Sequence, residues 1–315
     1  MENMTPHQPT SEEKFWAVLS HLSVFAGGIG LIIPAYGWAE NRRKSNYAAF
    51  QSLQALGYQS IGYTLWALAY LLVLILLFVV TVPLLPNPGQ DVAGYTGMLG
   101  NWLGIHLLAI LGLYGVYMLF PLAGAVMCAF GRDFRYPWLG NRLASYIAYN
   151  SGSAGVELNE QHEERFAVSM GHFCVIFPLT GLLVPVALWS TQGARSRYMK
   201  FQALQTIVFQ AVGTLVFLAL GAIALVILVA AIVPFILALN TGRPPIESFF
   251  AIFVFLICLA VIVLVIPLFQ VLGQWAGLRV LQGHNYRYPL IGRWVENRLA
   301  KREVASAPEK NASLS

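Results

Sequence analysis

The sequence predicts an all-α integral membrane protein built as a tandem duplication of one module. Of its 315 residues, 57% are hydrophobic and only 10% are charged, whereas a soluble domain carries about 25% charged residues. A helix needs about 20 apolar residues to span a bilayer. Four stretches exceed that length, at 55–85, 100–130, 203–239 and 249–280. The bilayer is therefore the solvent that this composition requires.

A second copy of one pattern begins 151 residues after the first. Residues 12–59 align with residues 163–210 without a gap, and 16 of the 48 positions are identical. Near the end of each half, Gly-Arg-Asp-Phe-Arg-Tyr-Pro at 131–137 recurs as Gly-His-Asn-Tyr-Arg-Tyr-Pro at 283–289. A tandem duplication explains this self-similarity. The predicted parts are a polar tail 1–14, a membrane module 15–147, a flexible linker 148–162, a second module 163–299 and a disordered tail 300–315.

Each module opens with an apolar segment that glycine and proline interrupt. The helix-breaking residues are Gly30 and Pro34 in the first module and Pro178, Gly181 and Pro185 in the second. Proline removes a backbone donor and glycine loosens a helix. Breaks at matching positions of two halves are typical of re-entrant or discontinuous membrane segments.

The distribution of basic residues favours a segment that enters the membrane and returns. If all six apolar segments crossed, Lys and Arg would divide 11 to 8 between the two sides, whereas a returning segment gives 18 to 1. Because basic residues collect on the cytoplasmic side, each module is predicted to contain a re-entrant or short broken segment plus two long transmembrane helices. The basic loops and both termini would then be cytoplasmic, at the plasma (inner) membrane. Six crossings remain the alternative.

Histidine and glutamine recur at matching positions beside the breaks. The histidines could line a cavity as protonatable or metal-binding groups, or could bond to open backbone at the break. The glutamines lie within one arc of a helix, so they could form interhelical hydrogen bonds or line a wet pathway. The candidate residues are His21, His172, Gln51, Gln54, Gln59, Gln202, Gln205 and Gln210.

Aromatic and basic residues stand where the predicted helices leave the bilayer. Tryptophan, tyrosine and arginine anchor helices at membrane interfaces. The predicted anchors are Trp38, Trp189, Arg135, Tyr136, Arg287 and Tyr288.

The sequence predicts no enzyme. The middle of each long apolar stretch holds no charged residue, and motifs for phosphate binding, zinc hydrolysis or a serine nucleophile are missing. The cysteines (Cys128, Cys174 and Cys258) form no paired motif. No cofactor, metal or nucleic acid is expected, so the predicted partners are the lipid bilayer and other membrane proteins, with the oligomeric state open.

The ordered motifs of each half resemble the MamF/MmsF-like family of small bacterial membrane proteins, most of unknown function. They are a His-bearing helix, a Gly…Pro…Trp break, Ser-x-Tyr-x-x-Phe-Gln-x-Leu-Gln and a closing aromatic-Arg-Tyr-Pro. That family is also distantly similar to the Tic translocon membrane subunit of chloroplasts. The resemblance implies non-catalytic membrane proteins that influence magnetosome crystals, or components of a protein-conducting complex. Residues 86–99 and 240–248 hold only Asp91 and Glu247 as acidic residues, so no acidic mineral-binding cluster is visible.

Two functions follow as hypotheses. The first is a non-catalytic multi-pass membrane scaffold or organising protein. The alternative is a channel, transporter or protein-translocon subunit whose pathway is lined by the broken segments and the glutamine-bearing helix faces.

Overall fold

The computed structural model describes residues 8–81, 92–151, 158–239 and 246–306, and all regular structure in these ranges is helical. Outside these ranges lie 82–91 and 240–245 of the predicted outer loops and their flanks, the centre of the linker and both extreme termini. Residues 92–99 and 246–248, predicted as loop, are helical instead, and so are residues 300–306 of the tail predicted to be disordered. The chain forms two compact units, Met1–Met170 and Gly171–Ser315. The all-α class predicted from the sequence is confirmed.

The first unit contains a helical hairpin, two long helices and a short helix. Helix α1 (Ser11–Leu22) passes through a 3₁₀ segment (Ser23–Leu31) into α2 (Ile32–Asn41). The long helices are α3 (Asn46–Thr81) and α4 (Val92–Ala129), and the short helix is α5 (Leu139–Tyr146). Helix α6 (Glu160–Phe173) begins in this unit and leads into the second.

The second unit repeats this order. Two short 3₁₀ turns, Cys174–Ile176 and Thr180–Leu182, lead into α7 (Leu183–Gln192). The long helices α8 (Arg197–Leu239) and α9 (Ile246–Leu281) follow, and α10 (Ile291–Ser306) closes the unit.

Five helical runs in the described residues are long and apolar enough to cross a membrane: Ser11–Asn41, Asn46–Val80, Gly100–Ala129, Arg197–Ile236 and Ile252–Leu281. Large apolar side chains on the last four are exposed along much of their length, as expected of helices that face lipid. Such a surface would be unusual on a soluble monomer. The predicted multi-pass membrane architecture is confirmed.

The first run, Ser11–Asn41, is a hairpin and not a straight helix. Gly37 lies against Trp16 and Ser20, whose Cε3 and Oγ are 3.3 and 3.0 Å from the position of a Cβ on that glycine. A straight helix would separate Trp16 from Gly37 by about 30 Å. The chain reverses at Gly27, whose φ is 61°. In the second unit the reversal is at Leu179, whose φ is 69°, and Gly171 packs against Pro185 and Leu188.

Gly30 and Gly181 are required at these reversals because backbone passes directly over them. A Cβ on Gly30 would lie 1.8 Å from the Ser23 carbonyl oxygen, and one on Gly181 would lie 2.0 Å from the Cys174 carbonyl oxygen. Pro34 and Pro185 each occupy the third position of a helix, where the missing N–H is unpaired in any helix.

The hairpin of the first unit begins and ends near the same end of the long helices. Lys14 Cε lies 2.9 Å from the position of a Cβ on Gly131, which follows α4. At the start of α3, the Tyr47 hydroxyl donates to the Arg132 carbonyl oxygen at 3.2 Å. The broken segment therefore returns to the end from which it entered.

Candidate functional site: a repeated His–Gln–Tyr network

In the first unit, a buried histidine joins the hairpin to the long helices. His21 stands near the end of α1 and is fully buried. Its Nδ1 lies 2.8 Å from the Tyr136 hydroxyl, and its Nε2 lies 3.0 Å from Gln51 Oε1. One ring thus links α1, α3 and the segment that follows α4.

The glutamines of α3 continue this network into the segment after α4. The Gln51 amide nitrogen donates to Asp133 Oδ1 at 2.9 Å and to the Phe134 carbonyl at 3.1 Å. The Gln54 amide nitrogen donates to the same carbonyl at 2.7 Å, and its oxygen accepts from the Tyr136 backbone N–H at 3.3 Å. These bonds hold the aromatic-Arg-Tyr-Pro segment against α3.

The second unit builds the same network from the matching residues. His172 Nδ1 lies 2.9 Å from the Tyr288 hydroxyl and its Nε2 lies 3.1 Å from Gln202 Oε1. The Gln202 and Gln205 amide nitrogens both donate to the Tyr286 carbonyl, at 3.2 and 2.8 Å. Gln205 Oε1 accepts from the Tyr288 backbone N–H at 3.2 Å.

The side chains around the two histidine rings differ at one position. Thr206 Oγ1 lies 3.0 Å from His172 Nδ1 and 3.2 Å from Nε2. The matching residue of the first module is Ala55, which offers no hydroxyl. The ring of His172 therefore has a nearby oxygen besides Gln202 and Tyr288.

The remaining predicted glutamines bind the hairpins directly. The Gln59 amide nitrogen donates to the Ser20 carbonyl at 3.1 Å and to Ser23 Oγ at 2.9 Å. The Gln210 amide nitrogen donates to the Gly171 carbonyl at 2.9 Å. Both side chains are buried, and they contact backbone at the ends of α1 and α6.

These hydrogen bonds define the chemistry that the histidines can perform. The amide nitrogens of Gln51 and Gln202 donate to other groups, so the amide oxygens of these two side chains face the histidine rings. Each ring therefore donates from Nε2 to the glutamine oxygen and accepts at Nδ1 from the tyrosine hydroxyl. Both nitrogens of His21 and His172 are thus engaged within the protein. A metal ion would have to displace a tyrosine or a glutamine, and no group of three His, Cys, Asp or Glu suited to a metal occurs among the described residues.

The network includes a carboxylate that the sequence analysis did not single out. Asp133 accepts from Gln51, from the Tyr149 hydroxyl at 3.2 Å and from Arg135 Nε at 3.2 Å. Burial raises the pKa of Asp133, which Arg135 opposes. In the second unit Asn285 takes its place and accepts from Gln202 at 2.7 Å. The alignment of the two exit segments contained this signal, as Asp133 and Asn285 share one position.

A second cluster, also missed from the sequence, joins α2 to the beginning of α6. Arg42 is 3% exposed in its side chain and bonds Glu160 and Glu164 at 3.1 and 3.3 Å. The indole N–H of Trp38 donates to Glu163 Oε1 at 3.1 Å. Burial raises the pKa of Glu163 to about 7, against the opposing effects of Trp38 and Arg42.

An open polar groove of about 710 Å³ lies beside this cluster at the end of the first unit. Its lining mixes basic and acidic side chains, including Lys44, Asp133, Glu160 and Glu163. Opposite charges therefore line the same groove.

The predicted anchors divide into buried and exposed residues. Trp38, Tyr136 and Tyr288 are buried, so they contribute packing and hydrogen bonds where the sequence predicted interfacial positions. Trp189 is 41% exposed. Arg135 pairs with Asp133, and Arg287 pairs with Glu296 at 3.0 Å.

Near each linker boundary the described residues make specific contacts. Tyr149 stacks on Phe50 with ring centroids 4.0 Å apart, and the Asn159 backbone N–H donates to the Ile147 carbonyl at 2.9 Å. The middle of the predicted linker, 152–157, lies outside the described residues, so the linker's flexibility stays a prediction.

The fold and the site together define a multi-pass α-helical membrane protein with two tandem copies of one module, each locked by a His–Gln–Tyr network. The sequence profile of the magnetosome magnetite crystal formation protein family, MamF/MmsF, matches residues 12–143 and again residues 163–295. The chain therefore belongs to this family, as a tandem-duplicated member. No curated protein and no solved structure matches it significantly. The similarity to Tic subunits and the bacterial origin stay predictions.

Proposed function

We propose that this chain is a non-catalytic scaffold or organising protein of its membrane. The observation that carries the proposal is the full engagement of His21 and His172, whose ring nitrogens all bond within the protein. Polar groups that could have served catalysis or metal binding instead hold each hairpin to its long helices. What the molecule offers to partners is its apolar helix surfaces and its charged ends.

The family's description supplies the setting for this role. It names the formation of magnetite crystals in magnetosomes. For this chain we propose action through contacts with other membrane proteins and not through binding of mineral, because residues 86–99 and 240–248 carry only one acidic residue each.

A deletion strain tests the scaffold role. Native gels and quantitative proteomics of purified membranes should show altered composition of membrane-protein complexes, and crystal size should change in a host that forms magnetite. Re-expression of the wild-type chain should restore both. Unchanged complexes and unchanged crystals in the deletion strain would overturn the proposal.

We further propose that the molecule lies in the plasma (inner) membrane with its basic ends and both termini in the cytoplasm. Two observations support this orientation. Lys and Arg divide 18 to 1 between the two sides of the membrane when each broken segment returns, and the first hairpin does return to the end from which it started. Single cysteines at Ser45, Asn87 and Ser196, in a cysteine-free background, test the orientation by impermeant labelling of intact cells and inverted vesicles. Labelling of Ser45 and Ser196 only in inverted vesicles, and of Asn87 only in cells, is expected. Ser45 and Ser196 on opposite sides would refute it.

The alternative, a channel, transporter or translocon subunit, has one observation in its favour. An apolar cavity of about 200 Å³ lies beside the break of the second unit, lined by Pro178, Gln210, Gly213 and Phe269 among others. Solute flux or protein import in proteoliposomes, lowered by Gln210→Leu in a chain that still folds, would favour this alternative over the scaffold.

A further inference from the structure

Within the first unit, the beginning of α6 is packed onto α2 and α3. Glu163 accepts the indole N–H of Trp38 at 3.1 Å. Phe166 covers Gly57, with its Cζ 2.6 Å from the position of a Cβ on that glycine. Arg42 adds ion pairs to Glu160 and Glu164. Because α6 corresponds to α1 in the repeat, the beginning of the second module's first helix covers a surface of the first module.

The matching surface on the second module is left open by the described residues. Trp38 and Ala35 of α2 are 0% exposed, whereas their counterparts on α7, Trp189 and Val186, are 41% and 39% exposed. On the neighbouring long helix, Leu56 is buried but its counterpart Ile207 is half-buried. The second module therefore presents an acceptor surface, defined here by Val186, Trp189 and Ile207.

The matching helix of the first module is exposed as well. Phe166 is 3% exposed, but its counterpart on α1, Phe15, is 59% exposed. Glu163 is buried, whereas its counterpart Glu12 is exposed. Phe15 and Glu12 lie on one face of α1 because they are three residues apart. We call this pair, together with the exposed Leu22, the donor face.

We propose that the donor face of one chain docks on the acceptor surface of a second copy of this chain. The contact would repeat the one already present between α6 and α2–α3. The three residues central to that contact are identical in both modules: glutamate at 12 and 163, phenylalanine at 15 and 166, and tryptophan at 38 and 189. Each chain thus carries both halves of an interface whose intramolecular copy is filled.

Two positions make the intermolecular contact different from its template. Arg42 is replaced by Gly193, so the Arg42 ion pairs are lost, although the exposed Arg195 keeps this turn basic opposite an acidic helix start. Gly57 is replaced by Val208, so Phe15 must pack beside this position and not directly over it. The docked helix therefore lies slightly farther out than α6 does.

Because donor and acceptor are different surfaces, the contact is heterologous. Such a contact generates either a closed ring or an open row of copies. This deepens the proposed scaffold function, on which its biological meaning rests, by naming the partner as another copy of the chain.

Crosslinking between differently tagged chains tests the contact. One chain carries Glu12→Cys and the other Trp189→Cys, both with Cys128, Cys174 and Cys258 changed to serine. A short bis-thiol reagent added to native membranes should produce a covalent pair that carries both tags. The expected pair reproduces, between molecules, the Glu163–Trp38 contact.

Two control pairs make the result interpretable. Glu163→Cys with Trp38→Cys in one chain should crosslink internally, so that cleavage at a protease site inserted within 152–157 leaves the halves joined. Glu12→Cys with Leu268→Cys, an exposed residue of α9, should give only background. If the internal control crosslinks and the mixed pair does not exceed the Leu268 background, the proposal is overturned.

A second measurement leaves Glu12 and Trp189 intact. Phe15→Ala should weaken self-association in liposomes, measured by energy transfer between labelled chains, by about tenfold, as expected for an aromatic anchor. Phe25→Ala is the matched control, since Phe25 is 55% exposed but lies beyond α1, and should change the association by less than about twofold. Equal effects of the two variants would overturn the docking contact. The deletion phenotype could still be present in that case, so the two proposals fail separately.

Discussion

Replacing one glutamine of each network by leucine should reveal how much the histidine bond contributes to stability. In the first unit, Gln51→Leu removes the acceptor of His21 Nε2 and two donors to the segment after α4. The Phe134 carbonyl still accepts from Gln54, and Asp133 still accepts from Tyr149 and Arg135. The Gln54 amide nitrogen loses its bond to Gln51 Oε1 but keeps the one to Phe134, and the Cys128 thiol loses a weak hydrogen bond of 3.5 Å. The main damage is therefore one orphaned N–H on a fully buried ring.

The expected cost differs between the two units. A buried donor left without a partner costs about 1–3 kcal/mol, so Gln51→Leu should lower the free energy of unfolding by about 2–3 kcal/mol. Gln202→Leu removes the corresponding acceptor, but Thr206 Oγ1 lies 3.0 Å from His172 Nδ1 and 3.2 Å from Nε2, so rotation of the ring lets it accept from Nε2 instead. That substitution should cost about 1 kcal/mol, typical of a hydrogen bond between membrane helices. Thr206→Ala combined with Gln202→Leu should restore the larger cost.

Native cysteines report the opening of each unit separately. Cys128 of α4 and Cys174 of the second hairpin are buried and form no disulfide, and Cys258→Ser removes the half-exposed third. Labelling rates in detergent micelles, followed across a denaturant titration, give the opening free energy around each thiol. Gln282→Leu, at an exposed glutamine outside both networks, is the control and should change either value by less than about 0.5 kcal/mol. Equal costs for Gln51→Leu and Gln202→Leu, or a larger cost for Gln202→Leu, would refute the assignment of Thr206 as a substitute acceptor.

Three further predictions concern the hairpin and the α2–α6 cluster. Gly181→Ala should disrupt the second hairpin and raise labelling of Cys174, because its Cβ would collide with backbone, whereas Gly104→Ala, which meets nothing within 4 Å, should not. Arg42→Ala should lower the melting temperature, because the lost hydrogen bonds to carboxylates contribute about 1–3 kcal/mol to stability. Arg43 is the control: its side chain is 63% exposed, so Arg43→Ala should cost less than about 0.5 kcal/mol. Equal shifts in melting temperature for the two variants would contradict this prediction. Burial raises the pKa of Glu163 from 4.5 to about 7, so ionisation of this side chain opposes folding. The resulting loss of folding free energy is absent below pH 4.5, grows as the pH rises to 7 and is complete above pH 7. Glu163→Gln should therefore stabilise the chain by about 1–3 kcal/mol at about pH 8 and have little effect at pH 4.5, measured by the same titrations; a pH-independent effect would contradict it.

The sequence predicted the hairpins because their causes are local. Glycine and proline at matching positions break the helix, and the count of basic residues indicates that the chain returns to its starting side. Gly30 and Gly181 were identified as breaks from residue type alone. The structure adds the reason, since the Ser23 and Cys174 carbonyl oxygens lie 1.8 and 2.0 Å from where a Cβ on those glycines would be.

The partners of the candidate residues could not be predicted in the same way. His21 meets Tyr136, which lies 115 positions away in the sequence, and Trp38 meets Glu163, which lies 125 positions away. Contacts at such separations depend on how the long helices pack, which periodicity and composition do not specify. Trp38 illustrates the limit: an interfacial position and a buried one both suit tryptophan, and only the placement of α6 decides between them.

Divergence between the modules follows from the different neighbours that each module has within the chain. Lipid tails are as apolar as leucine, so burial of apolar surface does little to hold membrane helices together, and hydrogen bonds carry more of the specificity. The bonds that lock each hairpin are accordingly repeated in both modules. Arg42, by contrast, faces the acidic start of α6, whereas its counterpart is Gly193, which has no side chain to pair with such a helix. The His, Gln and Tyr positions of each network thus keep the duplicated chemistry, while Arg42, which faces α6, does not, and the Glu12, Phe15 and Trp189 set is the exception that the docking of a second copy explains.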